Sequence, residues 1–429
     1  MDKKVVLIYL PHPYLKQPDA QAPLGLLYLA AVLEQNKIAV EVKNYSCLLT
    51  YQAIEDLPEA DLYGVTITSL ELPQANRFAC LIKEKFPKSK VVFGGPGTVS
   101  KELVDWTFVD SICIGDGEEE ILKIVKDVET KSLKREYIGC GMDNLDILPF
   151  PARHLLHGKQ GGNIFAYNKT YRTGDTTIVT SSRGCPFHCS FCGSPYFTDQ
   201  RGGVRFRGVD NIIQELKDIR SEFGIEQIRF SDDMFTANKK RCLSLCSAIK
   251  ELDIIYRVSI RVKPFDKETA QALFDSGCKE VSFGVESFDN NVLKVLNKGV
   301  TSEDNAKALE ICNEVGLKTR ILFMIRTPGQ TSKTVPTNIE WLSKVPYDII
   351  ACTSFVPLPG SDIWNNPDKY NIEILTKNLD LYNFYFFGSG GENQLQNIIK
   401  IKDRPLDEFN NETQEFRDFL KSTGKVNLG

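Results

Sequence analysis

"SSRGCPFHCSFCGSP", residues 181–195, sets Cys185, Cys189 and Cys192 within eight positions, directly after the strand-like run "TTIVT" at 176–180. Gly184 and Pro186 make the connecting segment a short loop, so three thiols leave one strand end together. A thiolate-only set is soft and suits zinc or iron–sulfur. Zinc completes its tetrahedron with a fourth Cys or His. His188 lies between the cysteines, but a residue adjacent to Cys189 is poorly placed to turn onto the same metal. The ligand set therefore favours an iron–sulfur cluster with one open iron.

Working outward, the strand before the loop is the first of a series. Downstream strand candidates are Gln227–Phe230, Tyr256–Ile260, Glu280–Phe283, Lys318–Met324 and Ile349–Phe355, after Thr177–Thr180. Helical stretches such as "NIIQELKDIRSEF", "KRCLSLCSAIKEL" and "SEDNAKALEICNEVG" fall between them. Six strand–helix units over 177–364 form an incomplete (β/α)6 barrel more comfortably than a flat sheet. Residues 365–429 read as a capping extension with the aromatic patch "LYNFYFFGSGG", a candidate substrate wall. Upstream, "KVVLIYL", "IAVEVKNY", "ADLYGVTITS", "KVVFGG" and "VDSICIG" alternate with helical runs over 1–128. That alternation predicts a Rossmann-like parallel sheet covered on both faces, with its ligand beyond the carboxyl ends of the strands. The edge should carry "YLPHP", "TITSLE", "GGPG" and "GDGEEE". Residues 129–176, containing "LDILPFPARHLL", read as a linker.

Composition narrows the class. A net charge of −4 and a pI near 5.8 leave no basic footprint for nucleic acid. "MDKKVVLIYLPHPYL" is too short for a membrane span and lacks a signal-peptide cleavage site, so a cytoplasmic protein is expected. Nine further cysteines, Cys47, Cys80, Cys113, Cys140, Cys242, Cys246, Cys278, Cys312 and Cys352, are scattered and read as small buried hydrophobes of a reducing compartment.

C-x-x-x-C-x-aromatic-C, with Phe191 before the third cysteine, resembles the radical SAM superfamily. The resemblance implies a [4Fe–4S] cluster on the three cysteines, whose open iron chelates S-adenosylmethionine (SAM). One electron then cleaves SAM to a 5′-deoxyadenosyl radical, and the electron donor would be a flavodoxin or ferredoxin. "IRFSDDMF" is similar to the family's Phe-x-Asp-Asp-x-Phe segment, which implies Ser231, Asp232 and Asp233 near the methionyl ammonium; a helix N-cap is the other role open to Asp233. "SIRVKP" ends the third strand with Arg261. "VSFGVESFDNNVLKVLNKG" resembles the segment in which Glu286 would hold the ribose hydroxyls and Lys298 would approach the SAM carboxylate, while Phe191 supports the adenine. "ILFMIRTPGQT" matches the family's Gly-x-Pro-Gly-Glu-Thr stretch but has Arg326 for glycine and Gln330 for glutamate. Arg326 at a barrel mouth could read a substrate anion or simply be exposed. "FVPLPGSDIW" resembles the motif that closes the sixth unit.

"PLGLLYLAAVLEQ", "VVFGGPGTVS" and "VDSICIGDGEEEIL" look like the cobalamin-binding domain of the B12-dependent (class B) radical SAM enzymes. Thr68, Ser69, Gly94, Gly95, Pro96, Gly115, Asp116, Gly117 and Glu118 would then border the corrin. The Asp-x-His-x-x-Gly signature is absent, so no histidine ligand is expected beneath the cobalt, and Gly97 stands where the family commonly has histidine. The resemblance implies a cobalamin-dependent methyltransferase acting on a carbon or phosphorus centre of a small-molecule or peptide substrate. A cyclase or rearrangement enzyme on the same scaffold is the alternative. A methylthiotransferase would need three more cluster cysteines at loop ends, whereas Cys80 falls mid-helix and Cys113 mid-strand. A non-catalytic metal-binding module is the reading from a different class.

Overall fold

The computed structural model describes residues 4–12, 18, 22–156, 176–386 and 397–425. They divide into two compact units with the boundary inside one strand, between Ile178 and Val179.

The first unit holds β1 (Val5–Tyr9), β2 (Val40–Asn44), β3 (Leu62–Thr66), β4 (Lys90–Gly94), β5 (Ser111–Gly115) and β6 (Glu136–Gly139). They form one parallel sheet in the order β2-β1-β3-β4-β5-β6. Helices α1 (Leu24–Gln35), α2 (Thr50–Asp56), α3 (Leu72–Lys85) and α4 (Glu120–Thr130) connect them. Val5, Val6, Leu7, Ile8, Val91 and Phe93 are fully buried, as strands covered on both faces require. The segment expected to be a linker supplies β6, so the sheet continues past residue 128. Only Tyr137 of "EYIG" is a large buried side chain, Ile138 being 61% exposed, so the strand has no apolar run to announce it. Short α2, with Ala53 its one buried residue, was likewise unread.

The second sheet opens with β7 (Thr176–Val179), followed by a two-residue ribbon β8 (Ser182–Arg183) and β9 (Arg205–Phe206), with helix α5 (Ser194–Gln200) between them. The series then runs α6 (Val209–Phe223), β10 (Gln227–Phe230), α7 (Lys239–Lys250), β11 (Ile255–Ile260), α8 (Lys267–Asp275) and β12 (Cys278–Glu286). It continues with α9 (Asn290–Val295), α10 (Ser302–Val315), β13 (Lys318–Ile325), α11 (Thr334–Leu342) and β14 (Ile349–Ser354). The sheet order β14-β13-β12-β11-β10-β7 is sequential, with β7 and β14 at its two ends. All six expected strands are present, and the sheet does not close, as a partial barrel demands. Helix ends follow local chemistry: Asp266 accepts from Thr269 N to start α8, and Thr301 with Asp304 forms a capping box on α10. Gly224 and Gly316 end α6 and α10 in the left-handed conformation.

Strand faces are unlike those of the first unit. Tyr256 bonds Ser276, the residue that caps the end of α8, and Phe323 stacks on Phe416, so the even positions of β11 and odd positions of β13 face helices. The opposite positions line the barrel interior.

The extension comprises α12 (Asp362–Asn365), β15 (Ile372–Ile374), α13 (Leu379–Phe386), β16 (Ile399–Ile401) and α14 (Leu406–Thr423). Helix α14 packs on α11, and Lys425 O accepts from Ile350 N of the end strand β14. Of the expected aromatic wall, 381–386 is helical and 387–391 lies outside the described residues. Among the described residues no helix is long and apolar enough to cross a membrane.

Candidate active site

The cysteine loop leaves β7 and is held at several points. Gly184 has φ +95°, and a Cβ there would meet Thr198 Oγ1 at 2.9 Å. That hydroxyl of α5 accepts from Cys185 N at 3.1 Å. Ser190 N donates to Leu296 O and Asn297 Nδ2 to His188 O, which ties the loop to the segment after α9. His188 itself pairs with exposed Asp199 at 3.0 Å, on the surface and away from ligand duty.

Cys185, Cys189 and Cys192 are unpaired in any disulfide and half-buried. Burial pushes the Cys185 and Cys192 thiols up, and Asp233 and the neighbouring thiols add to it. Ser194 N points at Cys192 Sγ at 3.4 Å, and Arg261 Nη1 at Cys189 Sγ at 3.3 Å. The Arg261 guanidinium also stacks on Phe187 at 3.9 Å, and its buried Nε has no hydrogen-bond partner among the described residues. Three soft donors and two N–H groups aimed at sulfur, one of them from a guanidinium, suit a polynuclear thiolate cluster. Among the described residues no three His, Cys, Asp or Glu side chains close round a single ion. A cluster does not require that, because each thiolate binds a different iron.

Glu286 and Lys298 come together beside this loop. Lys298 Nζ donates to Glu286 Oε1 at 2.9 Å with both side chains buried, and the ammonium lies 5.7 Å from the Phe191 ring. Glu286 has φ +64°, and the β12–β13 register shifts between Gly284 and Glu286. A bulge with left-handed backbone re-aims a side chain at some cost, which is typical of functional positions. Gly284 lies beneath the pair: a Cβ there would meet both Glu286 Oε1 and Lys298 Nζ at 2.7 Å.

The Ser231–Asp232–Asp233 trio splits. Asp232 is buried, and its carboxylate accepts from Ser181 N at 2.7 Å, Ser181 Oγ at 2.5 Å and Ser182 Oγ at 2.6 Å. Burial pushes its carboxyl up while these donors hold it down. These three bonds tie Asp232 to the strand end that launches the cysteine loop. Ser231 and Asp233 are exposed, and Asp233 accepts from Ser194 Oγ at 3.3 Å.

Arg326 is neither exposed nor open to a ligand. It is 4% exposed, has φ +63°, donates to Asn410 Oδ1 at 2.8 Å and to Asn397 Oδ1, and lies 4.6 Å from the Phe409 ring. Gln330 accepts from Arg326 N and donates to Glu412. The two departures from the family stretch thus both hold the C-terminal extension.

In the first unit, the expected stretches do meet at the carboxyl edge. Gly95, Pro96 and Gly97 pack on the end of β3: a Cβ on Gly95 would meet Ile67 O at 2.8 Å, and one on Gly97 would meet Thr68 O at 2.5 Å. No histidine fits at Gly97 on this backbone. Gly115 has φ +95°, and a Cβ on Gly139 would meet Asp116 O at 1.7 Å. Thr68 N donates to Glu71 at 2.6 Å, and Glu71 Oε1 lies 3.3 Å from His12 Nε2, both buried. Ser69, Gly94, Gly117 and Glu118 lie on the same loops. Burial takes His12 down to about 4 and Glu71 up. The sequence reading missed Glu71, although Thr-x-x-Glu at 68–71 is a capping-box signature. A glycine-lined edge whose histidine is engaged inward fits a flat, uncharged-faced cofactor without a histidine ligand.

Both parts of the chain match known families. Residues 179–342 match the family model of the radical SAM superfamily, and residues 19–125 match that of the B12 binding domain. An uncharacterized methyltransferase of Pyrococcus horikoshii is 30% identical over 84% of this chain and 81% of its own. Cytidylyl-2-hydroxyethylphosphonate methyltransferase of Streptomyces wedmorensis is 25% identical, covering 81% and 78%. The radical S-adenosylmethionine methyltransferase TsrM of Kitasatospora setae, solved with cobalamin and a [4Fe–4S] cluster, superposes with a TM-score of 0.65 over 85% of this chain and 77% of that one, at 18% identity.

Proposed function

We propose a residue-by-residue assignment for a chain that belongs to the radical SAM superfamily and, with its B12 binding domain, is a methyltransferase. Its cofactors are a [4Fe–4S] cluster, S-adenosylmethionine and cobalamin. When bound, the cluster and SAM supply one-electron radical chemistry and cobalamin supplies a transferable methyl group.

Cys185, Cys189 and Cys192 hold the cluster. Arg261, 3.3 Å from Cys189 Sγ, offsets the anionic charge of the ligand set. Asp232 fixes the launch of the loop by clamping Ser181 and Ser182. Lys298 and Glu286 are held as a buried pair that can trade each other for a carboxylate and a hydroxyl of SAM, and Phe191 lies beside them. Exposed Ser231 and Asp233 take the ammonium. Thr68, Ser69, Gly94, Gly95, Pro96, Gly115, Asp116, Gly117 and Glu118 border the corrin. Substrate enters the barrel interior, and an external flavodoxin or ferredoxin gives the electron.

The observation that carries the assignment is the Arg261–Cys189 contact next to the Glu286–Lys298 pair on neighbouring strand ends. The test is anaerobic reconstitution with iron and sulfide. A [4Fe–4S] spectrum that changes on adding SAM is expected, with cobalamin retained through gel filtration. Zinc alone, or a cluster spectrum indifferent to SAM, would overturn the assignment.

A further inference from the structure

The interior face of the barrel carries charges that the SAM site does not use. Arg229 of β10 pairs in register with Arg257 of β11, and Arg257 with Glu280 of β12. Glu280 Oε1 accepts from Arg320 Nε of β13 at 2.9 Å and lies 3.4 Å from Arg257 Nη1. Glu280 is 1% exposed, while Arg257 and Arg320 keep 16% and 13% of their side-chain surface open. Arg229 feels Arg257 and Arg320 as like charges and Glu280 as an opposite one. Burial and these neighbours bring it down to about 10, so it stays cationic at neutral pH. Three guanidiniums and one carboxylate thus gather into one charged layer, Arg320 reaching Glu280 from the level of Ser282.

What stands above this layer leaves room. On the same face, Ser259 of β11 registers with Ser282 of β12, and Ala351 of β14 faces Leu322 of β13. These are small residues, and Leu322, in the middle of a central strand, is 38% exposed. A close-packed interior would bury it. Arg257 is four residues below Arg261, the residue on Cys189, which is ~13 Å along a strand.

We propose that this layer is an anion-binding floor, in which Arg229, Arg257 and Arg320 around Glu280 receive a carboxylate, phosphate or phosphonate group of the substrate. The floor rests on the reading above that substrate occupies the barrel interior. Planar guanidiniums on β10, β11 and β13, flanking Glu280 of β12, match an oxyanion bidentately, and Glu280 orients two of them while leaving net positive charge. The substrate is accordingly elongated, with its acidic group about 13 Å from the cluster layer and the reacting atom near the mouth.

The test needs no cofactor turnover. Thermal midpoints of the full chain are measured against inorganic phosphate and succinate, with chloride at matched ionic strength as reference. A saturable rise with phosphate, succinate or both supports the floor, and the stronger of the two identifies the acid. Arg229→Gln should weaken the response roughly tenfold, as loss of one charge-assisted hydrogen bond does, and Arg229→Lys should restore part of it. Glu280→Gln should tighten it by removing the internal competitor. Lys279→Gln, an equal charge change at an exposed position on the other face of β12, should leave it unaltered. No rise above chloride, or the same rise in Arg229→Gln and Glu280→Gln, overturns the floor; if Arg229→Gln fails to fold, Glu280→Gln and Arg257→Gln decide. A failed floor leaves SAM cleavage intact, whereas failure of the cluster assignment leaves the anion response intact.

Discussion

Both units are built on six parallel strands, yet they display chemistry differently. In the first, strand order reverses between β1 and β3, both faces are covered, and the buried runs of β1 and β4 are apolar. In the second, strand order is sequential, one face packs on helices, and the other carries arginines, serines and a glutamate into an open interior. A switch in strand order creates one crevice at the edge. A sequential sheet that curls without closing offers the edge and the inner wall alike. The first arrangement suits a large cofactor laid across an edge, and the second suits a cofactor at the mouth with a substrate beneath it.

The largest expected break in this comparison is at the cysteine loop. Replacing any one of Cys185, Cys189 or Cys192 with alanine should abolish 5′-deoxyadenosine formation and lower bound iron, while Cys242→Ala, buried on α7, retains both. Equal loss in Cys242→Ala would mean that the loop is not the special feature. Next come the two strand interiors. Leu7→Gln, fully buried in β1, should cost about 3 kcal/mol or more in denaturant unfolding, whereas Leu322→Gln in β13 should stay within about 0.5 kcal/mol. Similar costs would refute an open barrel wall.

The edge of the first sheet gives a pH test. His12 at about 4 is held neutral, so as pH falls below its ordinary 6.5 the unfolded chain binds the proton first. Stability from this group is present above 6.5 and is lost as pH drops toward 4, about 2 kcal/mol by pH 5. Glu71, raised by burial, acts in the opposite direction, so the informative quantity is the slope difference between wild type and His12→Asn. A slope unchanged in His12→Asn would remove His12 from the buried pair. The smallest effect is at the mouth of the second sheet. Lys298→Gln should weaken SAM binding roughly tenfold with iron content unchanged. Unaltered SAM affinity would return Lys298 to a structural role.

The legible parts of the chain were those where chemistry and pattern coincide. The cysteine spacing, the six barrel strands and the glycine turns of the first edge could all be read, because each combines a short apolar run with turn residues at its end. β6 could not, since "EYIG" buries little and pairs only at a sheet end. Which member of Asp232–Asp233 turns inward depends on the hydroxyls of Ser181 and Ser182, some 50 residues earlier. Arg326 looked like a ligand-reading residue because its partners, Asn397 and Asn410, lie in a tail with no interpretable motif. The arginine layer had a signal, the alternation Arg257, Ser259, Arg261 in "YRVSIRV", which places three polar side chains on one face of a strand.

The unclosed barrel has one further consequence. A sheet that stops at β14 presents a row of unpaired backbone groups, a template on which another chain can dock and polymerise. The hydrogen bond from Ile350 N to Lys425 O occupies part of that row, with α14 packed close by on α11. Through Arg326 and Gln330, the same tail is clamped to the loop after β13. Trimming the extension back to residue 405 is expected to bare that edge, with gel filtration showing the shortened chain associating more than the full one.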